Sequence, residues 1–414
     1  MSRAVVVGGD ARAHVLAHVL ARTCDEVVVS GGNAGTPNAI ATPPEELDAD
    51  LFIISPEAPL VAGIADRLRA QGKRVYGPGA DGARLEGSKA WMKEVVAHAG
   101  VPTARHAAFG EVEPALDFLR SLPPPYVIKT DGLAAGKGVL VTESLIDAEE
   151  DLKAKLAGVA FGDAGRSVVI EEGMIGPELS LLAVCDGQRA VALAPAQDFK
   201  RAHDGDKGPN TGGMGAYSPV PFADDKLIDD VMDRFIAPTL GALRKRGIDY
   251  RGTLYAGLML TQDGPKLVEY NVRFGDPEAQ VVLPRLSSDL FELLVAAADG
   301  DLRRADAPTF VDDAAVCVVA AAAGYPESSQ SGQVIDGADA DLGNALLLFA
   351  GVARDADGRL VTAGGRVLNV VGTGPTIADA RTVAYNGITK VTFAGMQFRH
   401  DIAAAAAKED ARDR

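Results

Sequence analysis

The sequence has few cysteines and too little positive charge to balance its acidic residues. Its 414 residues include 3 cysteines, Cys24, Cys185 and Cys317, without paired spacing. That usage excludes a disulfide scaffold and indicates buried thiols in a reducing compartment. A formal net charge of -16 argues against nucleic-acid or anionic-membrane binding as the main task. The N-terminal apolar run is too short for a signal peptide or a membrane span, so we expect a soluble cytoplasmic protein.

Several catalytic motifs are also missing. The chain has no G-x-S-x-G elbow and no H-E-x-x-H zinc motif, and its 6 histidines are dispersed. The first glycine turn, Gly8–Ala13, lacks the G-x-G-x-x-G pattern, so no nicotinamide cofactor is implied. A protein nucleophile, a zinc centre and a dinucleotide site are therefore not indicated.

The order of apolar and polar segments predicts three domains. The strand-like runs RAVVVGG, EVVVS, DLFIIS and KRVYG alternate with helical patterns, including an amphipathic helix over ARAHVLAHVLAR, which predicts a parallel α/β sheet. A helix over WMKEVVAHAG ends at Gly100 and opens a second unit. DGDLRRADAPTF reads as a linker before mainly β segments, one helix (TIADARTVAYNGITKV) and a fraying tail. We expect domains at 1–87, 88–299 with a lid subdomain at about 102–170, and 312–407.

One glycine-rich stretch, VIKTDGLAAGKGV, spans Val127–Val139. It is not a Walker A loop, because that motif needs Ser or Thr after its lysine and then a helix. Here Gly138 and the β-branched run VLVT follow Lys137. The loop therefore joins two predicted strands, and its glycines let it close over a phosphate chain. The alternative is an ordinary hairpin with glycines in its turn.

A second stretch, LVEYNVRFGDPEAQ, reads as a strand with one polar face. A side-chain period of two puts Glu269, Asn271 and Arg273 together. A carboxylate and an amide oxygen so spaced suit Mg²⁺, and the arginine could stabilise a transferring phosphoryl group. The alternative is an amphipathic strand with a wet face and an internal ion pair. The opposite, core-facing set is Val268, Tyr270 and Val272.

A third stretch, KGPNTGGMGAYSP, spans Lys207–Pro219 and reads as a long loop. Successive backbone N–H groups in such a loop can form an anion-binding nest. Lys200 and Arg201, just upstream, add positive charge. A solvated surface loop is the alternative, but the length of the segment without a strand or helix favours a functional loop.

At these residues the chain resembles ATP-grasp enzymes, and more narrowly the phosphoribosylamine–glycine ligase (glycinamide ribonucleotide synthetase) family. The matching stretches follow the family's order over nearly the whole chain: GGNAGT, SPEAPLVAG, LEGSKAWMKE, VIKTDGLAAGKGV, VIEEGMIGPELS, AQDFKR, GPNTGGMGAYSP, LYAGLML, VEYNVRFGDPEAQ and GGRVLNVVG. The resemblance implies an α/β fold with a Rossmann-like N-terminal domain, an ATP-grasp core with a mobile lid subdomain, and a small, mostly β C-terminal domain.

The resemblance also implies a reaction. ATP, glycine and 5-phosphoribosylamine would give ADP, phosphate and glycinamide ribonucleotide through glycyl phosphate, in purine synthesis. Mg²⁺ or Mn²⁺ would be the metal, and the chain would act as a monomer. No protein nucleophile is required, which agrees with the missing motifs, because catalysis would be positioning plus charge stabilisation.

The family pattern, carried over position by position, implies the site residues. Arg273 would be catalytic, steadying the acyl phosphate, and Glu269 and Asn271 would bind the metal. Lys89 and Lys129 would hold ATP phosphates, with Lys129 also near the adenine. The strand VVIEE would offer backbone groups to the adenine, and Glu178 would take the ribose hydroxyls. The full set of ATP-binding positions would be Lys89, Lys129, Gly132, Gly136, Lys137, Gly138, Glu171, Glu172 and Glu178. The substrate-binding positions would be Gly32, Asn33, Ala34, Gly35, Pro56, Glu57, Asp198, Lys200, Arg201, Asn210, Thr211, Gly212, Gly213, Met214 and Gly215.

The N-terminal domain departs from the family's usual pattern in three places. Asp10 replaces a glycine and Ala13 a glutamate in the first loop, Ser55 replaces a glycine, and the segment between GGNAGT and DLFIIS is short enough to have lost a helix. A carboxylate facing a substrate phosphate would repel it. We therefore predict that Asp10 caps its own helix and that Arg12 offsets its charge.

Two other functions compete with this interpretation. The first is an ATP-grasp ligase with a different amine acceptor, which departures confined to the N-terminal domain would allow. The second is a nucleotide-binding relative that no longer catalyses. Loss of Glu269, Asn271 or Arg273 would favour the second, and all three are present.

Overall fold

The computed structural model describes residues 1–133, 138–158 and 167–410. The strands of this part of the chain are β1 Arg3–Val7, β2 Glu26–Ser30, β3 Ala39–Ile40, β4 Leu51–Ile54, β5 Val75–Tyr76, β6 His106–Phe109, β7 Tyr126–Thr130, β8 Val139–Thr142, β9 Val168–Glu172, β10 Glu178–Asp186, β11 Ala190–Ala192, β12 Gln197–Asp198, β13 Arg201–His203, β14 Lys207–Asn210, β15 Gly215–Ser218, β16 Arg251–Thr261, β17 Gly264–Asn271, β18 Ala314–Ala321, β19 Ala345–Phe349, β20 Val352–Arg354, β21 Leu360–Thr362 and β22 Arg366–Gly374.

The α-helices of the same residues are α1 Ala11–Leu20, α2 Glu57–Val61, α3 Ile64–Ala70, α4 Ala80–Gly87, α5 Lys89–Ala99, α6 Val112–Arg120, α7 Leu145–Leu156, α8 Asp225–Val231, α9 Ala237–Lys245, α10 Ala279–Val282, α11 Leu290–Asp299, α12 Ile377–Ile388 and α13 Ala404–Asp410. A π-helical turn, Met232–Ile236, joins α8 to α9, and three 3-10 turns lie at Pro44–Glu46, Leu283–Arg285 and Leu302–Arg304. No helix within the described ranges is both long and apolar enough to cross a bilayer.

The N-terminal domain is built on a five-stranded parallel sheet of order β3-β2-β1-β4-β5, as the alternating pattern predicts. The prediction of an amphipathic α1 is wrong, because only His18 of its ten residues is exposed. The helix is enclosed by its own sheet and by α10 and β19 from later in the chain. The short segment before β4 holds a two-residue strand and one 3-10 turn but no α-helix.

A four-stranded antiparallel sheet of order β6-β9-β7-β8 forms the next unit. Helices α6 and α7 cover it, and residues such as Leu116, Ile128 and Leu152 form a separate small core beneath them. The strands β7 and β8 pair as the predicted hairpin around the glycine-rich loop. The core of this sheet, here called the lid sheet, is separate from the two larger cores of the protein. A unit with its own core can move as one body.

The central antiparallel sheet, β11-β10-β16-β17, carries the predicted polar strand. The register slips between β16 and β17, since Gly257 pairs with Glu269 but Leu258 pairs with Leu267. This bulge leaves Val268 as the extra residue. The prediction that Val268 faces the core is therefore wrong, and fully buried Leu267 takes that place, while Tyr270 and Val272 are buried as expected.

The last sheet has the order β12-β15-β18-β22-β19, so two strands from residues 197–218 are completed by three from the C-terminal region. Helix α12 packs on β22 and β18. The tail does not fray over its first part: α13 is helical to Asp410, whose carboxylate accepts a hydrogen bond from the Ile377 backbone N–H (2.9 Å). The C-terminal region is therefore joined to the middle of the chain through the pairing of β15 with β18, and its last described helix is held against α12.

Candidate active site

Two adjoining cavities form one cleft between the lid sheet, the central sheet and the C-terminal sheet. The first, here the charged cavity, has a volume of about 420 Å³. The second, the apolar cavity, has about 530 Å³ and is lined by side chains such as Val127, Val141 and Met259. They are continuous because they share the lining residues Val139, Asp198, Lys200, Asn210 and Glu269.

The end of β17 brings Glu269 and Asn271 into the charged cavity. The Glu269 carboxylate has no ion-pair partner among the described residues. Burial raises the pKa of Glu269, but nearby Lys89, Lys129 and Lys200 outweigh it, and the net pKa lies below the ordinary value. The group is therefore ionised at neutral pH, and its oxygens together with an amide oxygen form the donor set that Mg²⁺ and Mn²⁺ prefer.

Arg273 also lines this cavity, but it lies beyond the end of the strand rather than on its face. Its guanidinium donates to Glu57 (3.2 Å), to Glu86 (2.8 Å) and to the amide oxygen of Asn271 (3.3 Å). These contacts fix the arginine against α2 and α4 and orient the Asn271 amide. The prediction that these residues share a strand face is therefore confirmed for Glu269 and Asn271. Arg273 follows the end of the strand and still lines the same cavity.

Glu86, at the end of α4, is a site residue that the sequence pattern did not reveal. One of its carboxylate oxygens accepts the Val272 backbone N–H (2.8 Å) and the other accepts Arg273. Burial raises the pKa of Glu86 although Arg273 opposes the shift. The signal in the sequence was a carboxylate three residues before Lys89 in LEGSK, but its partner lies 187 residues away.

The first loop behaves as predicted. Asp10 caps α1 by accepting the Ala13 N–H (3.0 Å), and its other oxygen pairs with Arg12 (2.7 Å). Arg12 also reaches Glu57 (3.3 Å) and lines the charged cavity, whereas Asp10 does not. The hydroxyl of Ser55 donates to Asp10 (3.1 Å), so two of the departures from the family pattern contact each other.

The two lysines predicted to hold phosphates differ in their surroundings. Lys89, at the start of α5, lines the charged cavity, and its ammonium has no hydrogen-bond or ion-pair partner among the described residues. Lys129 is buried, donating to Glu171 (2.9 Å) and to the Val268 carbonyl (3.0 Å), and it lines the apolar cavity. Of these two lysines, Lys89 presents an uncommitted cation to the charged cavity.

The apolar cavity is bordered by the end of β9. Glu171 is enclosed by Lys129 and Lys93 (3.1 Å), and these lysines hold its pKa below the ordinary value although burial raises it. Glu172 and Glu178 lie on the same wall. Glu178 pairs with Lys200, which also pairs with Asp198 (2.7 Å), so these charges are neutralised within the protein.

The stretch KGPNTGGMGAYSP is not a long loop, since β14 and β15 leave only residues 211–214 between them. The predicted anion nest is also wrong. All four N–H groups of the turn have acceptors: the Lys200 carbonyl, the Tyr325 hydroxyl, the Thr211 hydroxyl and the Phe199 carbonyl. Of the six predicted binding positions in this stretch, three line the charged cavity and three do not. The lining positions are Asn210, Thr211 and Gly212, and the others are Gly213, Met214 and Gly215.

The GGNAG segment does not line either cavity. The Asn33 amide donates to the carbonyls of Gly9 and Phe349 (both 2.9 Å), and its oxygen accepts the Gly35 N–H. Gly32 and Ala34 belong to the same turn, which connects the first loop to β19. The Asn33 amide thus holds neighbouring loops together, and Pro56 packs against Gly8. Substrate binding by Gly32, Asn33, Ala34, Gly35 and Pro56 stays a prediction.

The glycine-rich loop is described only at its ends. Gly132 and Gly138 line the charged cavity, as a phosphate-covering loop requires. The predicted ATP-binding residues Gly136 and Lys137 lie outside the described residues. Arg201, at the start of β13, lines the apolar cavity and donates to the Gly208 carbonyl (3.0 Å).

The C-terminal region supplies further lining residues that sequence reasoning missed. Tyr325 and Arg366 border the charged cavity, and Arg366 pairs with Asp276 (2.9 Å) while donating to the Gly212 carbonyl (2.6 Å). Ala403, Ala405 and Ala406 form part of the apolar cavity's wall. Alanines and tyrosines of this kind carry no motif, and no local pattern identifies them as lining residues.

A cleft with an apolar half under an antiparallel lid and a charged half bearing acidic and amide oxygens defines an ATP-grasp protein. The sequence matches phosphoribosylglycinamide synthetase domains in three parts: the N domain over residues 2–86, the ATP-grasp (A) domain over 87–279 and the C domain over 315–405. The chain belongs to this phosphoribosylglycinamide synthetase family.

Similar proteins cover nearly the full chain. The phosphoribosylamine–glycine ligase of Caulobacter vibrioides is 45% identical over 96% of this chain and 97% of its own length, and that of Streptomyces coelicolor is 46% identical over 98% and 99%. The crystal structure of phosphoribosylamine–glycine ligase from Thermotoga maritima superposes with a TM-score of 0.84 at 36% identity, covering 97% of this chain and 100% of that one. The biotin carboxylase domain of Hydrogenobacter thermophilus 2-oxoglutarate carboxylase (TM-score 0.70, 15% identity, 96% of this chain and 91% of that one) shares the fold.

Proposed function

We propose that this protein joins glycine to 5-phosphoribosylamine with ATP, giving glycinamide ribonucleotide, ADP and phosphate in purine synthesis. The observation that carries the proposal is the continuity of the two cavities through Glu269 and Lys200. A nucleotide with its base in the apolar cavity extends its phosphates into the charged one. Similarity over the full chain to ligases of this name supports the choice of substrates.

The chemistry proceeds in two displacements. A carboxylate oxygen of glycine attacks the γ-phosphorus of ATP, the bond to the β-phosphate oxygen breaks, and ADP leaves. The amine of phosphoribosylamine then attacks the carbonyl carbon of glycyl phosphate, phosphate leaves, and the amine loses a proton. Neither step needs a protein nucleophile, and the described lining residues include no serine–histidine or cysteine–histidine pair.

The donor set fits a divalent metal. Glu269 and Asn271 would hold Mg²⁺ or Mn²⁺, because both line the charged cavity and the Glu269 carboxylate forms no ion pair with any described residue. When bound, the metal neutralises charge on the ATP phosphates. No cluster of three or more acidic, histidine or cysteine ligands occurs among the described residues, which suits a metal shared between two side chains and the nucleotide.

The protein's own residues position charge around this point. Lys89 has a free ammonium facing the phosphates, whereas Lys129 sits at the apolar end, where its carbonyl and carboxylate contacts orient it. Arg273, held by Glu57 and Glu86, is fixed before the reaction, so that its charge can steady the acyl phosphate without reorganisation. Asp198, Lys200 and the turn at 210–212 line the space left for the acceptor.

We also propose that the chain works as a monomer in the cytoplasm, with the domain limits given above.

One assay tests the function directly. ADP release is measured with ATP, Mg²⁺, glycine and freshly prepared phosphoribosylamine, and each component is omitted in turn. We expect ADP and phosphate in equal amounts only in the complete mixture. AMP as the stoichiometric product would refute the acyl-phosphate route. Turnover with another amine but not with phosphoribosylamine would favour a different ATP-grasp ligase.

A further inference from the structure

Glu278 is a buried carboxylate that faces the charged cavity at the start of α10. Its side chain belongs to a residue only 3% exposed. One oxygen, Oε1, accepts the Tyr255 hydroxyl (2.7 Å) and lies 3.5 Å from the Ser180 hydroxyl. The other, Oε2, has no hydrogen-bond partner among the described residues. Two donors on one side therefore hold the group while the second oxygen remains available.

A glycine makes room for that second oxygen. An added Cβ at Gly275 would lie 2.2 Å from Glu278 Oε2, far inside van der Waals contact. Gly275 has no positive backbone φ to explain the residue type. Any side chain at position 275 would therefore displace Oε2 of Glu278.

The other acidic groups of the cavity are already neutralised, with one exception. Six carboxylates line it, and four have a cation partner: Glu57 with Arg12 and Arg273, Glu86 with Arg273, Asp198 with Lys200, and Asp276 with Arg366. Glu269 is unpaired but belongs to the proposed metal site. Glu278 alone is left without a cation or an assigned ligand within the described lining.

An oxygen of a buried side chain that makes no hydrogen bond is costly to leave without a donor. Carboxylates are grouped here: burial, with Glu278 and Glu178 nearby, raises the pKa of Asp198 to about 7 although Lys200 opposes the shift. The site therefore favours a small cation that enters from the cavity.

We infer that Glu278, oriented by Tyr255 and Gly275, receives the ammonium group of the amino-acid substrate. The inference rests on the proposed function and names the residue that recognises glycine's amino end. A single carboxylate oxygen suits an ammonium donor, whereas a divalent metal needs several oxygens around it. The acceptor amine is a weaker candidate, because it must be uncharged to attack and would leave Glu278 uncompensated.

The test uses the full chain and two kinds of measurement. Calorimetry follows glycine binding in the presence of Mg²⁺ and a non-hydrolysable ATP analogue, and steady-state kinetics gives the Michaelis constant of each substrate. Glu278→Gln keeps the size of the side chain and removes its charge, and Gly275→Ala displaces Oε2. The exposed Glu292 provides the matched control, Glu292→Gln. Glycolate, which carries a hydroxyl in place of the ammonium, serves as a competitor without the positive charge.

We expect both Glu278→Gln and Gly275→Ala to weaken glycine binding by roughly tenfold or more, with the Michaelis constant for ATP unchanged. Inhibition by glycolate should stay the same in Glu278→Gln, because it has no charge to lose. An altered requirement for Mg²⁺, or a raised Michaelis constant for phosphoribosylamine instead of glycine, would assign Glu278 to another ligand and overturn the inference. Unchanged glycine binding in both variants would overturn it while the proposed function stands, whereas a wild-type chain that binds no glycine would overturn both.

Discussion

The two cavities of the cleft treat buried charge in opposite ways. In the apolar cavity Glu171 lies between two lysines, and Lys200 lies between two carboxylates. In the charged cavity Glu269, Glu278 and Lys89 face the open space without a protein partner of opposite charge within the described residues. The first arrangement stabilises the fold around an apolar binding surface, and the second leaves charge for ligands to neutralise. Glu269, Glu278 and Lys89 are thus distinguished by their missing partners, whereas Arg273 and the other four lining carboxylates are already paired.

The largest expected effect comes from the unpaired side. Glu269→Gln keeps the shape of the side chain but removes a metal-binding oxygen, so kcat should fall roughly a thousandfold or more. The melting temperature should stay the same or rise, because no protein cation loses its partner. Initial rates at saturating Mg²⁺ and a thermal melt measure both quantities. Near-wild-type turnover would remove Glu269 from the metal site.

A glutamate-to-glutamine change in the apolar cavity should mainly reduce stability. Glu171→Gln leaves Lys93 and Lys129 buried without a counter-charge, which should lower the free energy of unfolding by about 3 kcal/mol. Urea unfolding with the exposed control Glu292→Gln measures this loss. If Glu171→Gln were as stable as the control, the distinction between the two cavities would fail.

A smaller effect concerns pH. Burial raises the pKa of Glu57, but Arg273 and Arg12 outweigh it and bring the pKa to about 2, against an ordinary value of 4.5. A carboxyl whose folded-state pKa is lowered stabilises the protein above its ordinary pKa, and this contribution disappears as the pH falls from 4.5 towards 2. At about 1.4 kcal/mol per pKa unit this shift corresponds to about 3 kcal/mol at most, and the partial exposure of the Glu57 side chain reduces it. Unfolding measured across this range should show a flatter dependence in Glu57→Gln, and an unaltered slope would contradict the pairing.

The smallest effect is expected at the first loop. Asp10→Gly removes a helix cap and the ion pair with Arg12, so the free energy of unfolding should fall by about 1 to 2 kcal/mol. The Michaelis constant for phosphoribosylamine should change little, because Asp10 does not line the charged cavity. Adding Ser55→Gly should cost little more, since its partner is already gone. A tenfold fall in that Michaelis constant, about 1.4 kcal/mol, would show that Asp10 faces the substrate.

Local pattern was sufficient for much of the fold. Short apolar runs located the strands of the parallel sheet, β-branched runs located the hairpin around the glycine-rich loop, and the period of two in β17 placed Glu269 and Asn271 together as predicted. The failures have local causes too. A bulge moved Val268 out of the core, and antiparallel pairing converted most of KGPNTGGMGAYSP into strand. In both cases the strand pairing depends on a partner strand elsewhere in the chain, which the local sequence does not reveal.

The rest of the site depends on contacts across the chain. Glu86 is recognisable only beside Arg273, 187 residues away, and Arg366 only beside Gly212, 154 residues away. A glutamate in a helix and an arginine in a strand are ordinary surface residues until their partners are known. The GGNAG turn adds a contact that the sequence does not predict, since the Asn33 amide connects it to β19, while its role in substrate binding stays a prediction.

Helix α13 has a consequence for how nucleotide binding depends on the C-terminal region. Ala405 and Ala406 line one wall of the apolar cavity, whereas the proposed metal and phosphate positions Glu269, Asn271 and Lys89 line the charged cavity. The helix is held against α12 by the hydrogen bond from the Ile377 N–H to Asp410. A molecule whose α13 is detached by proteolysis would therefore keep those charged and amide groups but lack one wall of the proposed base pocket.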